Sequence, residues 1–342
     1  MSETTIERVA ILGSGAWGTT FGLILAEAGR SVTIWGRNAI TVAQINAGKN
    51  SAHLPAVSLP TSMSATTDLA HAVQGADMVV VAVPVSAVRT TLIQASPHLG
   101  NHTVLTLLSK GLEADTHATV FDVARETTGL DGDRIAVVSG PNLSREIAQR
   151  QPAATVVACQ NLDVATAVAR TCHTSWFRSY VSQDVVGCEI AGATKNVIAV
   201  ALGAVEGLGL GANTRSTLIT RGLAEITRLG MAMGAQADTF LGLAGVGDLV
   251  ATCSSHLSRN YSFGLRMGQG MSKDDALAAS RGVVEGIRAA EPILALADSL
   301  GVDMPITRGV VEVASGRATV EQMGAMLLSR PQKMDGWKIT LV

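Results

Sequence analysis

The residues with the clearest chemical potential are a few charged side chains in unusual company. The stretch EIAGATKNVIAVALGAV (189–205) sets Lys195 and one asparagine among small and apolar residues that suit a packed core. On a helix Ala191, Lys195 and Ala199 stack on one face, so the ammonium either reaches water or lies in a cleft beside a group that needs it. Partial burial would lower its pKa toward neutrality, as a general base working near pH 7 requires. Lys110, in LLSKG (107–111), follows an apolar run and precedes a glycine. It reads either as a turn lysine or as a cation that polarises a substrate oxygen. Asp248 follows Gly245-x-Gly247 in GLAGVGDLVATC and suits a helix N-cap as well as a catalytic carboxylate. Arg259 and Asn260 supply a planar cation and an amide suited to phosphate. In Gly140-Pro141-Asn142 the glycine permits close backbone approach, and the proline suits the first turn of a helix that would offer N–H groups to a substrate.

A cofactor would turn this set into an enzyme site, and one is written near the start. RVAILGSGAWGTTFGLILAEAG gives Gly13-x-Gly15-x-x-Gly18 directly after an apolar strand and before a helix expected to reach about Ala28. The glycines allow a tight turn, close approach to a pyrophosphate and close helix–strand packing, and the helix N-terminus offers free N–H groups to the anion. The next strand, SVTIWGRN, carries Gly36 and Arg37 where an NAD-specific site has a carboxylate on the ribose 2′-hydroxyl. An arginine there would pair with a 2′-phosphate, which favours NADP with NAD as the weaker ligand; the alternative is a solvated loop charge.

The elements that must hold these residues follow from hydrophobic pattern. RVAIL, SVTIW, DMVVVAVP, TVLTLLS, RIAVVS, ATVVAC and WFRSYV alternate with amphipathic stretches up to about residue 181. This is the mark of βαβ units, and near-continuous apolar strands imply a sheet covered on both faces. After about Asp184 the strand-like runs stop, and the remainder reads as helical, with EGLGLGANT (206–214) as a turn between two helices. The expectation is an α/β Rossmann-type domain over residues 1–184, with a mostly parallel doubly wound sheet, and an all-α substrate-binding domain over 185–342. In such a sheet the ligand crevice lies beyond the carboxyl ends of the strands, where Lys110 and Gly140 fall.

Composition narrows the function further. With 342 residues the chain exceeds one ordinary core, and with 26 Lys and Arg against 28 Asp and Glu and no run of like charges it has no nucleic-acid-binding signature. Runs such as MVVVAVPVSAV (78–88) are too short to span a membrane, and MSETTIERV has no secretory pattern, so a cytoplasmic location is expected. Cys159, Cys172, Cys188 and Cys253 are widely spaced and form no CxxC pair, which suits reduced thiols. His98 and His102 straddle Pro97 and Gly100 in a loop, and no metal site is expected. An isologous homodimer through the apolar helical half is the expected assembly.

Taken together, GSGAWGT, SKG, SGPN, EIAGATKNVIA, NTRSTLITRGLAEITRLG, GLAGVGDLVATC and SRN resemble the bacterial NAD(P)-dependent glycerol-3-phosphate dehydrogenases, from about residue 8 to about 320. The sequence departs from many relatives at Asn142, Leu143 and Ser144. The resemblance implies hydride exchange between NAD(P)H and dihydroxyacetone phosphate, giving sn-glycerol 3-phosphate for phospholipid synthesis. It implies Lys195 as proton donor and acceptor, with Lys110 and Asp248 orienting the reacting oxygen. Gly140 and Asn142 fall at the substrate's strand-end contacts, and Thr252, Ser258, Arg259 and Asn260 match the positions that hold substrate, chiefly its phosphate. Ser14, Trp17, Arg37, Lys110, Ser144, Arg259, Val283 and Glu285 match cofactor contacts beside Gly13, Gly15 and Gly18. Two rivals remain at this stage: a two-domain dehydrogenase acting on a hydroxy or sugar acid, which would not need Arg259 and Asn260 for a dianion, and a nucleotide-sensing protein without catalysis.

Overall fold

The computed structural model describes residues 5–280 and 282–330. The outer limits of the two expected domains, at residues 1 and 342, lie outside the described residues, as does Arg281 of the RGVVEG segment. The first half alternates strand and helix: β1 (Arg8–Leu12), α1 (Ala16–Glu27), β2 (Ser31–Trp35), α2 (Ala39–Asn46), β3 (Met63–Thr66), α3 (Leu69–Val73), β4 (Met78–Val81), α4 (Val85–Ala95), β5 (Val104–Leu107), α5 (Val120–Thr128), β6 (Ile135–Ser139), α6 (Ser144–Ala148), β7 (Ala153–Ala158), α7 (Leu162–Thr171) and β8 (Phe177–Ser182). Helices follow: α8 (Val185–Gly207), α9 (Ala212–Ala232), α10 (Ala237–Leu241), α11 (Asp248–Cys253), α12 (Arg259–Gly268), α13 (Lys273–Ala278), α14 (Glu285–Ser299), α15 (Pro305–Ala314) and α16 (Val320–Leu328).

The strands form one eight-stranded sheet in the order β3-β2-β1-β4-β5-β6-β7-β8. All neighbours are parallel except β6 and β7. The fully buried strands MVVV, VLTL and IAVVS form the middle. Side chains alternate between two cores: Val9 and Ile11 of β1 pack on one face, Ala10 and Leu12 on the other. The α/β class, the mostly parallel sheet and the helical second half agree with the sequence pattern. The eighth strand, β3, was not in that pattern. Its four residues MSAT have one buried side chain at the sheet edge, and pairing with β2 rather than local hydrophobicity makes it a strand.

The sheet order reverses between β1, which continues to β2 and β3, and β4, which continues to β5 and β6. The crevice beyond the strand ends at this switch point is where a dinucleotide fits. Asp184 caps α8 by accepting from Gly187 N at 2.9 Å, and it also accepts from Gln236 N and Thr239 Oγ1, which fixes where the helical half leaves the sheet. Among the described residues α8 is the one helix long and apolar enough to cross a membrane, and 89% of its most apolar window is buried in the fold. It is the axle of the helical half. The backbones of α8 and α12 approach so closely that a Cβ on Gly203 would strike Tyr261 O and one on Gly264 would strike Val200 O. That seam sets Arg259 and Asn260 beside the middle of α8.

Candidate active site

Lys195 sits halfway along α8 and is 8% exposed. Its Nζ donates to Asp248 Oδ1 and, at 2.9 Å, to Thr252 Oγ1. Lys110, just beyond β5, donates through Nζ to the other oxygen, Asp248 Oδ2, at 2.7 Å and to Gly140 O at 3.2 Å. One carboxylate thus holds two ammonium groups, one from each half of the chain. Asp248 is 1% exposed and opens α11 behind a π-helical turn at Leu243–Gly247. Its side chain bonds the lysines and makes no N-cap bond, so the capping role is not the one it fills.

Burial and the Lys110 charge push the Lys195 pKa down to about 8, while the Asp248 charge works the other way. Burial alone would raise the Asp248 pKa, but the Lys110 and Lys195 charges outweigh it and hold the carboxyl below its ordinary range. The triad therefore carries an ionised carboxylate and a lysine able to change its charge near neutral pH. The Lys110 stem is seated on α8 at Gly192, where an added Cβ would lie 3.2 Å from Cδ and 3.3 Å from Cγ.

The glycine turn has the form its spacing requires. Gly13 has φ 128°, and a Cβ there would lie 2.7 Å from Ala82 O; a Cβ on Gly18 would collide with Gly13 O. At Gly15 an added Cβ would meet nothing within 4 Å. Gly15 is the N-cap of α1 and no side chain caps it, so the first amides of the helix remain available to an anion. Trp17 Nε1 is buried without a partner. These features fit a dinucleotide pyrophosphate. Arg37 is exposed just after Gly36, whose Cα lies so near Ser14 that a Cβ would be 2.5 Å from Ser14 Oγ. The arginine is therefore placed beside the glycine turn, at the end of β2.

The other expected contacts have partners of their own. Asn142 turns its Nδ2 to Thr155 Oγ1 at 3.0 Å, and its Oδ1 is buried without a partner. Pro141 is not in a first helical turn, because α6 begins only at Ser144 with Leu143 as N-cap. The Ser144 carbonyl instead accepts from Thr20 Oγ1 at 3.1 Å and ties α6 to α1. Ser258 caps α12 through Tyr261 N. Asn260 Nδ2 donates to Asn196 Oδ1 at 2.9 Å, and its Oδ1 accepts from Gly286 N at 2.8 Å, which leaves one amide proton for a ligand. Arg259 is exposed at the start of α12, beside Gly282. Its charge acts on Glu285, whose pKa burial raises, and on His53, whose pKa burial and Arg259 lower. Val283 is half-buried between them in sequence.

Three residues near the site had no role in the sequence pattern. Asn196 follows Lys195 and bonds Asn260; His53, in the loop after α2, is close enough to feel the Arg259 charge; Glu189 accepts from Phe121 N at 3.0 Å and so holds α5 against α8. Burial pushes the Glu189 carboxyl up to about 7. Asn196 and Glu189 lie inside the EIAGATKNVIA motif, whereas His53 lies in none. Among the described residues no group of three or more His, Cys, Asp or Glu is placed to hold a metal ion.

Comparison with known proteins gives a consistent answer. The pattern for the NAD-dependent glycerol-3-phosphate dehydrogenase N-terminus matches residues 8–165, and that for the C-terminus matches residues 184–325. The chain is 50% identical over 328 residues to a glycerol-3-phosphate dehydrogenase, NAD(P)+, of Streptomyces griseus, covering 95% of this chain and 97% of that one. The crystal structure of glycerol-3-phosphate dehydrogenase from Coxiella burnetii superposes with a TM-score of 0.91 at 34% identity, over 96% of this chain and 100% of that one. The glycerol-3-phosphate dehydrogenase from Saccharomyces cerevisiae gives 0.81 at 25% identity, over 94% and 99%.

Proposed function

The chain belongs to the NAD-dependent glycerol-3-phosphate dehydrogenase family, and from that premise we propose that Lys195 is the general acid and base of its reaction. The activity is reversible hydride exchange between NAD(P)H and dihydroxyacetone phosphate, giving sn-glycerol 3-phosphate for phospholipid synthesis. When bound, the nicotinamide ring supplies hydride to the carbonyl carbon or takes it back.

The observation that carries the Lys195 assignment is the single buried carboxylate gripped by two lysines. As the carbonyl becomes an alcohol its oxygen gains negative charge, and Lys195 Nζ passes its proton to that oxygen and is left as a neutral amine. In the reverse direction the neutral amine takes the hydroxyl proton. Lys110 sets a second ammonium group beside the oxygen and stabilises its developing charge in a site shielded from water. Asp248 holds both ammonium groups in place, and Thr252 fixes the direction of Lys195. Arg259, Ser258 and Asn260 at the start of α12 hold the phosphate, with Gly140 and Asn142 at the strand end facing the substrate.

Gly13, Ser14, Gly15, Trp17 and Gly18 cradle the dinucleotide. Lys110, Ser144, Arg259, Val283 and Glu285 complete its contacts, and Arg37 pairs with the 2′-phosphate, so NADP is preferred and NAD accepted. Residues 1–184 act as the dinucleotide-binding unit and 185–342 as the substrate-binding unit. Two copies pair through the helical half as an isologous dimer, which light scattering on a size-exclusion column tests directly. The setting is cytoplasmic; all four cysteines are buried as free thiols, which accords with a reducing compartment. The deciding assay for substrate and cofactor is NADPH oxidation against a panel of ketones with and without phosphate. Turnover confined to dihydroxyacetone phosphate is expected; equal turnover of unphosphorylated dihydroxyacetone or of a keto acid would refute the phosphate assignment.

A further inference from the structure

Packed against the glycine turn lies Asn50. It is fully buried, in the loop between α2 and β3, and both protons of its side-chain amide are donated into the turn: to Ser14 O at 3.1 Å and to Thr19 Oγ1 at 2.8 Å. Thr19 Oγ1 in turn lies 3.4 Å from Ser14 O, closing a triangle at the first turn of α1. Asn50 itself is anchored through its backbone, since Asn50 O accepts from Leu54 N at 2.7 Å and Leu54 is buried in the core beneath the sheet.

A trans peptide is planar, and its C=O and N–H point in opposite directions. Drawing the Ser14 carbonyl toward Asn50 therefore turns the Gly15 N–H to the opposite side, away from Asn50, and the space around Gly15 is open enough that an added Cβ would meet nothing within 4 Å. We propose that Asn50 is the positioning residue of the dinucleotide turn, holding the Ser14–Gly15 peptide in the orientation that presents its N–H to the pyrophosphate. This rests on the assignment of that turn to NAD(P). Asn50 touches no reacting atom and acts through Ser14 and Thr19, so its removal affects cofactor affinity before it affects turnover.

Asn50→Asp keeps the size of the side chain and removes both donors. NADPH dissociation constants from equilibrium titration without substrate are expected to rise about tenfold or more, because a buried carbonyl loses its donor and a carboxylate approaches an anion site. The KM for NADPH should rise in parallel, while kcat at saturating NADPH and the KM for dihydroxyacetone phosphate stay within about threefold. A folded Asn50→Asp protein with an NADPH dissociation constant within twofold of the parent overturns the proposal, as does a fall in kcat with unchanged NADPH affinity. If that variant does not fold, Thr19→Val, which removes two of the triangle's three sides, leaves the Asn50–Ser14 bond and keeps the shape, carries the same decision: a rise of about two- to fivefold sustains it, and no rise overturns it. Failure of the parent protein to bind NADPH at all would instead refute the cofactor reading.

Discussion

In the sheet half the proposed cofactor surface is backbone: Gly13 and Gly18 are held in close contact, Gly15 is open, and Asn50 donates to the Ser14 carbonyl of the same turn. On the helical side the working surface is charge. Lys195 and Asp248 are buried and paired with Lys110 from across the cleft, 138 residues away from Asp248 in sequence. The two kinds of site fail differently. A backbone site is damaged by adding atoms, whereas a buried charge cluster is damaged by removing one, since the remaining charges lose their partner in a poorly hydrated place.

The sharpest test of the charged side is Lys195→Ala. Turnover is expected to fall more than ~100-fold while NADPH still binds, because the proton donor is gone and the glycine turn is untouched. Near-normal turnover would remove Lys195 from the mechanism. The parent protein offers a companion test through pH. With the Lys195 pKa at about 8, reduction of the ketone requires the ammonium form, so its kcat should be flat below that pH and fall above it; oxidation of glycerol 3-phosphate requires the amine and should rise through the same range. Loss of the same titration from both directions in Lys195→Ala is the expected confirmation.

Asp248→Asn comes next in size. It leaves Lys110 and Lys195 facing each other without their shared counter-charge, so the Lys195 pKa should drop further and the downturn in ketone reduction should move to lower pH. Activity is expected to fall on the order of tenfold to a hundredfold, and stability in urea titrations by about 3 kcal/mol, the scale of breaking a buried ion pair. An unshifted pH profile would mean that Asp248 does not govern the lysine.

These two sites also differ in how far the sequence revealed them. Gly13, Gly15 and Gly18 are legible because each answers a local steric demand: the positive φ of Gly13 and the contact of Gly18 with the Gly13 carbonyl belong to one turn. Lys195 is conspicuous because a lysine in an apolar helix is costly to bury. What it pairs with is not legible, since no spacing rule joins Lys110, Asp248 and Lys195; the sheet register and the π-helical turn bring them together. The resemblance to a family supplied that grouping. Asn50 escaped altogether, as an asparagine in a loop between Gly48 and Pro55 has no pattern to distinguish a buried clamp from a solvated turn. The same limit hid β3, which pairing makes a strand, and placed Pro141 in a helix that starts three residues later.

On the backbone side the informative change is one of charge at its rim. Arg37→Asp should reverse the ratio of NADP to NAD affinity by about tenfold, since it replaces a partner for the 2′-phosphate with one for the 2′-hydroxyl. An unchanged ratio in equilibrium titrations would make Arg37 a solvated loop residue, as its exposure allows.

The smallest expected effect joins the two kinds of site, because Gly192 is a glycine that serves a charge. In Gly192→Ala the new methyl would lie 3.2–3.3 Å from the Lys110 stem and 3.3 Å from Ser139 Oγ. These distances are tight but not prohibitive, and the flexible lysine can yield by a few tenths of an ångström. The chain should fold, and NADPH affinity, to which Lys110 supplies one contact among several, should fall by less than kcat does. Since Lys110 Nζ reaches both Asp248 and Gly140 O, a small shift weakens one of those bonds, and kcat is expected to fall about threefold. Gly192→Val, with two further methyl groups against the same stem, should deepen the loss in kcat more than the loss in NADPH affinity. If both variants instead lower affinity and kcat alike, the seat under Lys110 is a packing contact between the two halves and the lysine's aim does not depend on it.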